Sequence, residues 1–230
     1  HNFATDSYSV VSGGTFNSVD GKASGITTGE NNFVDGQYST ISGGLDNTVK
    51  GHHVALGGGR GNLASGFYTT LTGGYQNSAI AAGAMISGGS QNLVTGASSA
   101  VAGGKYNSVS GQYSAIVGGD GNNVTGNYAI VAGGRDNDAV GIYSGVSSGY
   151  NNFVSGSFSI VGGGEANSAL YGYTSVLGGK ANEALGYAAT LLGGAQNSAK
   201  HYAIVGGGYL NKAGAMSVLL AGFGRACESA

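Results

Sequence analysis

The chain has 230 residues, 48 of them Gly and none Pro or Trp, with 9% charged residues and a formal net charge of −2. Gly therefore stands at roughly three times its ordinary share, yet without a Gly every third residue and without Pro, which excludes collagen. A hydrophobic content of 41% argues against disorder, and the near-neutral charge argues against nucleic acid or an anionic membrane as the main partner.

The single Cys, Cys227, excludes a disulfide framework. It reads as a spare thiol near the chain end, with an interchain bridge as the alternative. No signal peptide and no run of 18 apolar residues occurs, so this segment is expected to make no direct membrane contact.

From its first residues the chain repeats itself. His1 and Asn2 enter in the middle of a unit, which predicts a piece of a longer protein. With Tyr8 as column 1 and fifteen residues to a unit, the columns read as follows along the chain. Columns 1 to 5, as in "YSTIS" or "YSAIV", carry Tyr, Ser, Thr and aliphatics and predict a short strand. Column 4 is always Val, Ile or Leu, from Val11 to Leu191. Columns 6 and 7 are mostly Gly-Gly, and column 7 is Gly in all thirteen units from Gly14 to Gly194. Columns 8 and 9 vary; Glu30, Arg60, Lys105, Asp120, Arg135, Glu165 and Lys180 read as a solvated edge.

Column 10 is Asn without exception: Asn17, Asn32, Asn47, Asn62, Asn77, Asn92, Asn107, Asn122, Asn137, Asn152, Asn167, Asn182 and Asn197. Columns 10 to 13, as in "NTVK", predict a second strand, with Val or Ala always in column 12. Column 14 is Gly in ten of thirteen units. The Gly-Gly pair and the column 14 Gly are expected to supply two turns, where a positive φ costs Gly little. After Asn197 the register slips, and Asn211 follows fourteen residues later.

A fifteen-residue unit without a 3.6-residue period is too short for a helical hairpin. The pattern predicts an all-β parallel β-solenoid of about 14 coils, its columns stacked about 4.8 Å apart. The repeat domain is expected over residues 1–214, and residues 215–230 as a terminal rung with a cap or a connection to a downstream segment. Column 10 becomes a ladder of Asn amides, each donating to the next rung. With one large aliphatic and one Val or Ala per rung, the interior is thin. Packing against further copies is therefore expected. Val117, Leu177 and Leu192 in column 5 and Ile130 and Ile160 in column 3 mark an interface that grows more apolar towards the C-terminus.

The units "GQYSTISGGLDNTVKGH" and "GQYSAIVGGDGNNVTGN" resemble the head repeats of trimeric autotransporter adhesins, the YadA-like heads, and most of all those of the ubiquitous surface protein A adhesins. The resemblance spans about residues 2 to 214. It implies a left-handed β-roll, a side-by-side homotrimer and an extracellular position on a bacterial surface, held by an anchor outside this segment. It further implies adhesion to host matrix, to cells or to other heads.

The residues offer little chemistry. His1, His52, His53 and His201 are sporadic, and the adjacent His52 and His53 would point to opposite faces of a strand. No Ser-His-Asp arrangement, metal site or cofactor is expected, and "GGGRG" at Gly57 lacks the ending of a phosphate loop. The aromatic column is the most function-like feature: Tyr8, Tyr38, Tyr68, Tyr113, Tyr128, Tyr143, Phe158 and Tyr173. It reads as a strip that binds protein or surface glycan, or as a cover for the coil or a seal between chains. The expected function is a non-enzymatic adhesin head. The alternative is a structural subunit of an extracellular filament or a phage or viral fibre.

Overall fold

The computed structural model describes residues 1–227. They contain strands and turns but no helix, hence no helix long and apolar enough to cross a membrane. The chain falls into two compact units, residues 1–113 and residues from 114 onward. Each is a parallel β-solenoid, with about 15 turns between them.

Within the first unit, two-residue strands in columns 11 and 12 stack as one parallel sheet and strands in columns 3 and 4 as another. Thr48–Val49 and Leu63–Ala64 belong to the first sheet, Thr40–Ile41 and Ala55–Leu56 to the second. Register is fifteen residues: Thr40 lies opposite Ala55, and Thr48 opposite Leu63. A third ladder of single bridges runs through column 8, from Thr15 through Glu30, Leu45 and Arg60 to Lys105. The second unit repeats the scheme. Its strands include Ile160–Val161 and Phe153–Val154, and its bridges run from Asp120 to Phe223. The third ladder was not expected. The charged residues of column 8 are exposed, but their backbone is paired.

The strands are narrower than the composition suggests, because columns 1 and 9 adopt left-handed backbone. Tyr38 has φ 54° and Asp46 φ 57°; Tyr143 and Asp136 follow suit at 56° and 53°. This conformation turns the N–H around. Strand residues donate to the following turn, as Thr40 does to Val54 O at 2.9 Å. Tyr38 instead donates back to Lys22 O at 2.9 Å, and Asp46 to Glu30 O at 3.1 Å. The column 14 Gly has no positive φ. Its constraint is space: a Cβ on Gly36 would sit 1.7 Å from Gly51 O. The turn that Gly was expected to make by φ is made by the aromatic residue two positions on. For the same reason His52 and His53 lie in a turn, not on a strand.

Columns 4 and 12 form the apolar core, with Ile41, Leu71, Val49 and Val94 in one unit and Val131, Leu191, Val124 and Val154 in the other at 0% exposure. Besides the column 14 Gly, two further columns are buried. One is the Asn column. The other is column 2, Ser24, Ser39, Val54, Thr69 and Ala84 in the first unit, which the sequence reading passed over. It acts as a looser copy of the Asn column. Ser39 Oγ donates to Gly51 O at 2.9 Å and accepts the Val54 N–H at 3.1 Å. In other turns the column 2 N–H meets a carbonyl of its own turn instead, as Ala84 N does with Ala81 O at 3.1 Å and Ala203 N with Lys200 O at 3.0 Å. Ser39→Ala is therefore expected to cost only about 1 kcal/mol in urea unfolding, because Val54 N–H has the same fallback.

The register slip falls at column 14. His201 Nδ1 accepts the Tyr187 N–H at 3.1 Å, the role that column 15 His52 plays for Gln37 at 2.9 Å. The residue missing after Lys200 is thus the column 14 Gly. Fourteen-residue turns follow, with Thr190 opposite Ile204 and Ile204 opposite Val218. Stacking continues to Ala226–Cys227, with Cys227 half-buried and without a disulfide partner among the described residues. The expected cap or connection beyond it lies outside the described residues.

Candidate functional site: buried ladders and exposed columns

Column 9 is left-handed, so the N–H of column 10 points at the preceding turn, where no backbone carbonyl meets it. The Asn side chain of that turn does. Asn47 N donates to Asn32 Oδ1 at 3.0 Å, and Asn62 N to Asn47 Oδ1 at 3.0 Å. Asn77 N meets Asn62 Oδ1 at 2.9 Å. The Asn47 amide nitrogen reaches three acceptors: Asn32 Oδ1 at 3.0 Å, Gly43 O at 3.3 Å and Gly59 O at 2.9 Å. Each Asn thus joins its own turn to both neighbours. The second unit repeats this, with Asn182 Nδ2 donating to Gly178 O at 3.0 Å and Gly194 O at 2.9 Å. The amide nitrogen donates to the next rung, as expected, through a Gly carbonyl there, and also backwards to the Asn before it.

The ladder residues Asn17, Asn32, Asn47, Asn62, Asn77, Asn92 and Asn107 are buried in the first unit, as are Asn122, Asn137, Asn152, Asn167, Asn182 and Asn197 in the second. They are fully used in holding the coil and present nothing to a ligand. Asn2 begins the series and Asn211 extends it. At the next column 10 position Arg225 keeps only the backbone bond, its N–H on Asn211 Oδ1 at 3.1 Å.

The aromatic column faces outward. Tyr8 is 85% exposed, Tyr68 68%, and Tyr38, Tyr113, Tyr128, Tyr143, Phe158 and Tyr173 are about half exposed. In the first unit His53 fills the gap between Tyr38 and Tyr68, its ring stacked 5.1 and 5.0 Å from theirs. In the second unit Tyr128, Tyr143, Phe158 and Tyr173 stack at 4.7, 5.0 and 5.2 Å, and Tyr187 and Tyr202 prolong the row edge-on. The rung spacing dictates these distances. His53, Tyr187 and Tyr202 were missed as members: His53 is not Tyr or Phe, Tyr187 stands in column 15, and Tyr202 follows the deletion. Stacked rings cover one another's faces, so the row presents edges and hydroxyls rather than the open ring planes a sugar packs on.

Column 8 carries its own side-chain contacts in the second unit. Arg135 lies over the Tyr150 ring at 4.6 Å, and Lys180 pairs with Glu165 at 3.0 Å. These are exposed contacts of small worth. Columns 3 and 5 hold no charged residue anywhere in the chain. In the second unit Ile130, Ile160, Ile204, Val117, Leu177 and Leu192 stand 40–55% exposed on this face. Among the described residues no group of three or more His, Cys, Asp or Glu could hold a metal ion.

The fold defines the chain as a parallel β-solenoid. No protein-family model matches it, and no curated protein sequence matches it significantly.

Proposed function

We propose that the chain is the head of an extracellular, surface-held adhesin, non-enzymatic and assembled as a side-by-side homotrimer. The observation that carries this reading is the uncharged sheet face of columns 3 and 5 in the second unit. Large residues stand beside small ones across the two columns at Ile130 and Ala132, Ile160 and Gly162, and Ile204 and Gly206, and in the reverse order at Ser175 and Leu177 and at Thr190 and Leu192, while Val218 and Leu220 are both large. Half-exposed aliphatics in a row are costly to leave in water, and a stepped apolar surface suits burial against copies of itself. The aromatic and charged columns lie on other columns of the coil and stay free for host matrix protein, surface glycan or other heads. The adhesin likeness of the repeat units supports the same reading.

Light scattering of the purified chain should give the mass of three chains, and Leu177→Lys with Leu192→Lys should give one. Beads coated with the trimer are expected to adhere to laminin or fibronectin surfaces, or to each other. A broad, open-ended mass distribution would instead favour the filament subunit. A monomer whose beads adhere to nothing would end the proposal.

A further inference from the structure

We infer that the last turns of the second unit carry a binding site for an acidic sugar. Two grooves there, of about 590 and 390 Å³, share the walls Ser198, Lys200 and Lys212. Both are open to solvent, as a groove for part of a longer chain of sugars would be. The site spans one fourteen-residue turn. Ser198 lies opposite Lys212 on adjacent strands, and Lys200 follows two residues after Ser198. Two ammonium groups from neighbouring turns thereby line one groove.

Among the described residues neither lysine has a carboxylate within ion-pair distance; the pairs formed are Arg135 with Asp136 and Lys180 with Glu165. Both lysines are exposed. The larger groove continues past them to Glu183 and Leu185. That composition selects the ligand class. Two cations and a hydroxyl receive a sulfate or carboxylate. A carboxylate further along accepts sugar hydroxyls, and a Leu side chain meets the C–H face of a ring. A bare anion would gain nothing from Glu183 or Leu185. A nucleic acid would need a longer basic track and would meet Glu183 as a repulsion.

The inference rests on the adhesive reading and gives it a ligand class. The groove belongs to the sheet of columns 11 and 12, so a trimer closed through columns 3 and 5 leaves it open.

The test is calorimetric titration of the intact chain with two tetrasaccharides, one heparin-derived and one from hyaluronan, with inorganic sulfate as competitor. At least one tetrasaccharide should bind, and more weakly as NaCl rises. Binding of the heparin fragment alone identifies a sulfated sugar, and binding of both shows that a carboxylate suffices. K200Q/K212Q should weaken binding at least tenfold, while K50Q/K105Q, which removes the same charge elsewhere, should leave it within twofold. E183Q should reduce the advantage of the tetrasaccharide over inorganic sulfate. The inference is overturned if neither tetrasaccharide binds, if both lysine pairs lower binding equally, or if sulfate competes at equal concentration. A chain whose beads adhere while the titration is flat refutes the sugar site and leaves the adhesin standing.

Discussion

Asn47→Ala is expected to destabilise the first unit by about 3–5 kcal/mol, from one buried bond network and a small cavity. The substitution removes the acceptor of the buried Asn62 N–H and the donors to Gly43 O and Gly59 O. Gly59 O keeps the Leu45 N–H at 2.9 Å, but Asn62 N–H has no second acceptor. Urea unfolding followed by circular dichroism reads the loss, and hydrogen exchange should show it at Asn62 first. Asn47→Asp is expected to be worse at neutral pH, because it sets an oxygen against two Gly carbonyls and buries a charge. Such a carboxylate has its folded pKa raised above the unfolded value of about 3.9. The charge penalty is therefore absent below that value and grows as pH rises through it. An Asp variant equal to wild type at pH 7 would remove the Asn ladder from the list of what holds the coil.

The second large effect is a contrast between neighbours. Gly134 has φ 89°, and a Cβ there would lie 2.2 Å from Gly149 O and 2.6 Å from Asn137 Nδ2. Neither neighbour can withdraw: one is backbone of the next turn, the other a ladder amide. Gly134→Ala is expected to cost more than about 4 kcal/mol, the range of buried overpacking joined to backbone strain. At Gly133 φ is not positive, and a Cβ meets nothing within 4 Å. Gly133→Ala should be neutral or stabilising by about 0.4–1 kcal/mol through the unfolded chain. Melting temperatures of the two variants, side by side, check both.

This contrast shows why some of the fold was legible in the sequence. Column 7 is restricted twice, by φ and by the Asn amide occupying the place of a side chain. Column 10 is restricted by an N–H with one acceptor. Positions so confined leave an unbroken letter in every unit, and stacking with a fifteen-residue register follows from them. Column 2 has the same place in its corner that column 10 has in the other. Its N–H owns a fallback, however, so Ser, Thr, Ala and Val interchange there, and the column looked like surface.

Strand width misled for another reason. Tyr favours strands, but Tyr38 is left-handed, and its N–H bonds back to Lys22 O. That conformation costs a non-Gly residue roughly 1–2 kcal/mol, which ring stacking worth about 0.5–1.5 kcal/mol per pair helps to offset. Gly was the expected occupant, yet Ala23, Ser98 and Ala188 hold the same left-handed conformation in this column, so the turn requires neither Gly nor a ring. The lysine groove was hidden by its geometry. Lys200 and Lys212 belong to different columns of the repeat, and the groove they share is seen only in three dimensions.

The ladder bonds that hold a turn reach only its neighbours, eleven to fifteen residues away in sequence. A genetic duplication of one whole unit would thus arrive with all its bonding partners, and no distant contact would have to be rebuilt. Length in such a protein is a quantity that recombination can change in single increments, while the chemistry displayed by each copy drifts independently.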